Sequence, residues 1–159
     1  RSSREGNTFT RWRPNCFVNF AGKNLVGDYI NGKIYEIDPA TFVEGEEYIQ
    51  RLIQGTALWK DGHRFVNDYL RLDIDAGEGL AVGQGEDPQV MMRFSDDGAK
   101  SWSNELWRSF GKIGETNKQV VYRQLGQTQS GQRIYEWVIN DPVKVAIHGA
   151  YWDGRLCRA

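Results

Sequence analysis

The chain has 159 residues and a mass of 18.2 kDa, with 40% hydrophobic and 26% charged residues, which suits one domain with a real core and excludes disordered, collagen-like and coiled-coil classes. Twenty Lys and Arg against twenty-one Asp and Glu give a formal net charge of −1 and a pI near 6.2, without the basic excess of proteins that live on phosphate backbones. No apolar run approaches the roughly 18 residues of a membrane helix, and no charged-then-apolar leader opens the chain. It starts with Arg1 rather than Met, so a processed chain or a carboxy-terminal fragment of a longer protein is expected.

Charge is unevenly spread. Arg1, Arg4, Arg11, Arg13 and Lys23 against Glu5 make residues 1–25 locally basic. Asp28, Glu36, Asp38, Glu44, Glu46 and Glu47 against Lys33 make residues 27–47 acidic. Asn31-Gly32 is the first hairpin-grade turn pair, followed by Tyr35 and Ile37 on one strand face. Tyr48-Ile49-Leu52-Ile53 carries a short helical spacing, read as strand or a single helical turn. Asp61-Gly62 marks the next turn. Leu70, Leu72 and Ile74 then alternate with Arg71, Asp73 and Asp75, and Val90, Met92 and Phe94 with Met91, Arg93 and Ser95. A third turn pair, Asp97-Gly98, precedes Leu106-Trp107-Phe110, again strand or helical turn. Tyr135, Trp137 and Ile139 share a face, and Val143, Val145 and Ile147 alternate with Lys144, Ala146 and His148. A period of two, with Gly, Asn, Asp or Pro closing each run, predicts a single all-β antiparallel domain over residues 1–159.

Three prolines follow aspartate, in Asp38-Pro39, Asp87-Pro88 and Asp141-Pro142. A spacing of about 50 residues is that of four-stranded propeller blades. The expected fold is therefore a set of β-propeller-like blades, with a β-sandwich as the alternative. Phe94-Ser95-Asp96-Asp97-Gly98-Ala99-Lys100-Ser101-Trp102 supports the first reading, because it resembles the Asp-box, S-x-D-x-G-x-T/S-W. Ser95, Asp97, Ser101 and Trp102 match, Ala99 stands where glycine is usual, and Gly98 is expected to take the positive φ one place earlier. The Ser and Asp side chains of such a turn bond its own backbone, and the Trp anchors it to the sheet. The role expected for Ser95, Asp97, Gly98, Ser101 and Trp102 is structural.

Chemistry-bearing patterns are sparse. His63 and His148 have no partner at metal spacing, and Cys16 and Cys157 form no CxxC, so both cysteines are expected reduced and no metal or cofactor is assigned. Neither a G-x-S-x-G elbow nor a Walker loop occurs. Asp73-Ile74-Asp75-Ala76-Gly77-Glu78-Gly79 lacks the spacing of a calcium loop and reads as a solvated strand end. Paired acids such as Asp96/Asp97 or Glu46/Glu47 serve glycoside hydrolysis only if two carboxylates face each other across a cleft. No catalytic residue is assigned and no enzyme is expected. Trp12, Trp59, Trp107, Tyr151 and Trp152 lie near turns or segment ends, and Tyr151-Trp152 is the preferred aromatic interface.

A longer series of segments carries a resemblance. Gly27-Asp28, Asn31-Gly32-Lys33-Ile34-Tyr35-Glu36, Gly83-Gln84-Gly85-Glu86-Asp87-Pro88-Gln89-Val90-Met91, the 94–102 segment, Ile113-Gly114-Glu115, Arg123-Gln124-Leu125-Gly126 and Asp141-Pro142-Val143-Lys144-Val145 occur in that order. Together they resemble the C-terminal part of the packaged-DNA stabilisation proteins of short-tailed bacteriophages, the tail hub or tail accessory factor family. The resemblance implies a virion tail protein, assembled in the bacterial host cytoplasm, that joins the portal-side adaptor to the tail needle. It implies that the protein plugs the channel and retains DNA without catalysis and without tight DNA binding. It also implies a cyclic homo-oligomer with head-to-tail contacts. Glu44, Glu46 and Glu47 are then expected to meet a basic face from residues 118–159, where Lys118, Arg123, Arg133, Lys144, Arg155 and Arg158 outnumber Glu136, Asp141 and Asp153. The competing reading is a sialidase-like or glycan-binding propeller.

Overall fold

A computed structural model describes residues 2–6, 8–45 and 47–157, so Glu46 and Arg158 of the expected interface lie outside the described residues. The chain contains two compact units, Arg1–Ile49 and Gln50–Ala159. Strands and turns make up the described residues, and no helix occurs among them.

In the first unit, β1 (Ser2–Glu5) pairs antiparallel with β2 (Thr8–Arg11). A meander of β3 (Pro14–Phe20), β4 (Lys23–Asp28) and β5 (Ile34–Glu36) follows, and then a small hairpin of β6 (Val43–Glu44) and β7 (Glu47–Tyr48). Asn31-Gly32 does make the turn between β4 and β5. Gly32 has φ +66°, the Asn31 side chain accepts from Lys33 N at 2.9 Å, and Asp28 N donates to Lys33 O at 2.9 Å.

The second unit contains β8 (Arg51–Gln54), β9 (Leu58–Trp59), β10 (Phe65–Ile74), β11 (Gln89–Ser95), β12 (Leu106–Ser109), β13 (Val120–Arg123), β14 (Gln132–Ile139) and β15 (Ile147–Leu156). Both stretches with helical spacing are extended: Leu52 and Ile53 belong to β8, and Leu106 and Trp107 to β12. Ladder bonds to β14 and β11 hold them so, overriding a weak local period. One sheet runs β13-β10-β15 and the other β12-β11-β14-β8, with β9 on the start of β14. Alternate residues of both sheets meet in one core: Leu70, Leu72 and Ile74 of β10 and Val120 and Tyr122 of β13, against Val90 and Met92 of β11 and Tyr135, Trp137 and Ile139 of β14.

Two open sheets facing across one core make a sandwich, and this corrects the propeller-blade expectation. The Asp-Pro pairs that suggested a repeat are not equivalent. Asp38 bonds Ala40 N inside its own turn, Asp87 accepts from Ser109 Oγ, and Asp141 accepts from Gln89 N.

Strand β10 keeps its core face through a break in its alternation. Phe65 and Asn67 are buried, then Leu70, Leu72 and Ile74, so the inward set shifts by one residue. The register against β15 slips at the same place, from Asn67↔Gly154 to Tyr69↔Asp153. Asp68 is the extra residue of a β-bulge, which re-phases the strand without turning its apolar residues to solvent. A further correction concerns residues 143–146. Val143 is buried, but residues 143–146 run outside any strand; β15 begins at Ile147 and continues through Tyr151 and Trp152.

Candidate functional site

At the end of β11 the chain turns on side chains only a few residues apart. Ser95 Oγ donates to Asp97 Oδ1 at 2.7 Å and accepts from Ala99 N at 2.9 Å. Asp97 Oδ1 accepts from Lys100 N at 3.0 Å and Ser101 N at 2.9 Å, and its Oδ2 from Ser101 Oγ at 2.6 Å. The Ser101 hydroxyl first, then the Ser101 amide and the Ser95 hydroxyl, hold the Asp97 carboxyl well below the usual carboxylate range. Gly98 has φ +77°, and Ala99 has φ +69° as well, so glycine does not relieve the alanine of the left-handed conformation. Trp102 is half-buried with the Arg93 guanidinium 4.7 Å over its ring, and Arg93 Nη2 lies 2.5 Å from Glu136 Oε1 on β14.

Asp96 points elsewhere. Its Oδ1 accepts from Arg133 Nε at 2.6 Å and its Oδ2 from Arg133 Nη2 at 2.8 Å. Arg133 also donates to Leu125 O at 2.6 Å and Gln127 O at 3.2 Å, lies 3.9 Å over the Phe94 ring, and is 1% exposed. Burial works against its charge, but the Asp96 hydrogen bonds and the neighbouring Tyr135 outweigh it, and the Arg133 pKa is raised. This clamp ties the 95–101 turn to the 124–130 loop. Gln129 N adds a bond to Asp96 Oδ2, and Ser130 Oγ donates to Asp96 O. Asp96 and Asp97 are therefore no facing acid pair, and Arg133 leaves the expected basic surface for the interior.

A second buried hub is Asn67. Its Oδ1 accepts from Tyr135 OH at 2.9 Å and Trp152 Nε1 at 2.6 Å, and its Nδ2 donates to Gly126 O at 3.3 Å. Burial pushes the Tyr135 hydroxyl up to about 12. Trp152 also meets Phe65 edge-on, ring centres 5.4 Å apart, and a Cβ at Gly154 would collide with its ring and with Val66 O. Of the two aromatics expected at an interface, neighbours on a strand that face opposite ways, Trp152 is partly buried against the core and Tyr151 stays 53% exposed. Asn67, Asp96 and Arg133 escape a reading of periods and local motifs, because their partners lie far away in sequence.

The remaining expected residues are scattered. Glu44 Oε1 accepts from Ser3 Oγ at 2.7 Å, and Glu47 Oε1 from Gly6 N at 3.3 Å. Lys144 is exposed in the 143–146 segment, and Arg155 lies 3.5 Å from Asp68. His148 Nε2 is 2.8 Å from Asp75 Oδ1, which raises the histidine pKa by that hydrogen bond and its charge. Cys16 and Cys157 are free thiols, and among the described residues no group of three or more His, Cys, Asp or Glu could hold a metal ion. At the 95–102 turn, Ser95, Asp97 and Ser101 bond one another and the turn's own backbone, and Asp96 reaches across to Arg133 on β14.

The family model described as bacteriophage P22 Gp10, β-sandwich, matches residues 50–154. Its match starts where the second compact unit starts, at Gln50. No individual curated protein matches the chain significantly. The sialidase-like alternative gains no support, since the family matched is a sandwich. With two antiparallel sheets closing on one core and more than half of its length matched, the chain belongs to the bacteriophage P22 Gp10 β-sandwich family, structural proteins of the phage tail.

Proposed function

We propose that the chain serves in the tail hub of a short-tailed phage, where it helps to close the portal channel and retain packaged DNA without catalysis. Membership of the P22 Gp10 family is the observation that carries the reading. The character of the sandwich supports it. Its interior polar groups are internally bonded, buried Arg133 to part-buried Asp96 and loop carbonyls and buried Asn67 to Tyr135, Trp152 and Gly126 O, as a load-carrying domain requires. Retention by plugging rather than by gripping phosphates is consistent with a net charge of −1, which gives no large counterion-release term. In this reading the protein resides in the virion tail after assembly in the host cytoplasm, as a ring between portal-side adaptor and tail needle. The 95–102 turn acts as an Asp-box staple, with Ser95, Asp97, Gly98, Ser101 and Trp102 in structural roles. Mass spectrometry of gradient-purified virions tests the assignment. The protein is expected in stoichiometric amount with the portal; its absence from particles that remain infectious rules the reading out.

A further inference from the structure

The outer face of the β13-β10-β15 sheet holds two arginines laid on tyrosines. Arg71 stands opposite Tyr151 on β15 and Val121 on β13; Tyr69 stands opposite Asp153 and Arg123. The Arg71 guanidinium lies 4.7 Å over the Tyr151 ring, and that of Arg123 5.2 Å over Tyr69. Neither guanidinium forms an ion pair with any described residue, and Arg71 Nε is shut away from water with no hydrogen-bond partner. Stacking fixes the plane of each guanidinium while its outer N–H edge stays available, which suits a carboxylate.

Strands β6 and β7 hold the matching feature. Glu44 and Glu47 are direct cross-strand partners around a turn at Gly45, φ +68°. Like charges placed opposite each other destabilise a hairpin, so this tip is under a local strain that cations would relieve. Among the described residues, each glutamate is bonded only through Oε1, leaving Oε2 open.

We propose that the Glu44/Glu47 hairpin tip of one copy docks on the Arg71–Tyr151 and Arg123–Tyr69 face of a second copy, a heterologous contact that propagates a ring. The inference rests on the tail-hub reading for its ring, and on charge complementarity for its partner. Two carboxylates on adjacent strands meet two guanidinium groups on adjacent strands, with tyrosines between them as interface anchors. Asp68, Asp73 and Asp153 belong to the same strands, so the face is not uniformly basic; a nucleic acid, which needs a run of phosphate contacts, fits it less well than two carboxylates aimed at two guanidinium groups.

Sedimentation velocity of the 159-residue chain, from micromolar to millimolar, tests the contact. The wild type is expected to associate, more weakly as salt rises, and Arg71→Gln with Arg123→Gln to weaken association by about tenfold or more. Mixing an Arg71→Glu/Arg123→Glu chain with a Glu44→Lys/Glu47→Lys chain tests both surfaces at once. Each variant alone presents like charges to itself, whereas in the mixture the unaltered tip of the first meets the unaltered face of the second. Hetero-association with unchanged melting midpoints supports the proposal. A wild type that stays monomeric at millimolar concentration overturns it, as does association indifferent to all four substitutions. Binding of a short DNA duplex that is lost in the Arg71→Gln/Arg123→Gln chain also overturns it, in favour of a phosphate surface. Failure here leaves the virion assignment standing, while absence from virions sinks that assignment and leaves the measured contact intact.

Discussion

Asp96 and Asp97 are adjacent, and the fold sets them opposite tasks. Asp97 bonds only within its own turn, so Asp97→Ala leaves the Lys100 and Ser101 amides without their acceptor. Thermal melting should show a midpoint several degrees lower, with the sheets otherwise intact. The sign of the pH dependence follows from its lowered pKa. The stabilisation is fully present above the ordinary Asp range and is lost only as pH falls through the depressed value in the folded chain. Ala99→Gly should act in the other direction, raising stability by about 1 kcal/mol, because an L-residue at positive φ costs about 1–2 kcal/mol. Asp96→Ala strands a buried guanidinium and should cost about 3–5 kcal/mol in chemical denaturation, while Asp96→Leu with Arg133→Met should recover most of it. The legibility of these residues follows their sequence separation. Ser95, Asp97 and Ser101 lie within seven positions and could be read as one motif. Asp96 and Arg133 meet only because β11 and β14 pair, which no local pattern records.

At the scale of elements, the alternation of Leu70, Leu72 and Ile74, of Val90 and Met92, and of Tyr135, Trp137 and Ile139 marks the core faces of three strands directly. Period two is cleanest in β10, whereas in β11 and β14 Met91, Glu136 and Val138 on the opposite face are buried as well. Strand β15 is less legible. His148, Gly149, Asp153 and Gly154 interrupt its hydrophobic pattern, since it runs along the sheet edge and carries one bulge residue, His148. The break in β10 at Asp68 hides Phe65 and Asn67 from the pattern of residues 70–74. Deleting Asp68 should move Phe65 and Asn67 to the outer face, remove the acceptor shared by Tyr135 and Trp152, and prevent cooperative folding. Far-UV circular dichroism through a urea gradient checks this. A sharp transition near the wild-type midpoint would mean that the bulge does not set the strand's phase.

For the whole molecule, periodicity gave the right class and the wrong closure. A spacing near 50 residues suggested blades, but the three aspartates before proline bond to unlike partners, and two open sheets share one core. The ordered series of segments is more informative than the repeat, because five of its seven segments, from Gly83 to Val145, fall in the region that the family match covers. In the tail-hub role proposed above, closing a channel would require rigidity more than affinity, and the Arg133 clamp and Asn67 hub cross-link the sandwich internally. The most direct test is the DNA content of particles assembled in a host without this protein, quantified after nuclease treatment. The account predicts heads that package DNA and then lose it, leaving mostly empty particles that the wild-type protein rescues. Particles that lack the protein and still hold a full, nuclease-resistant genome would contradict it.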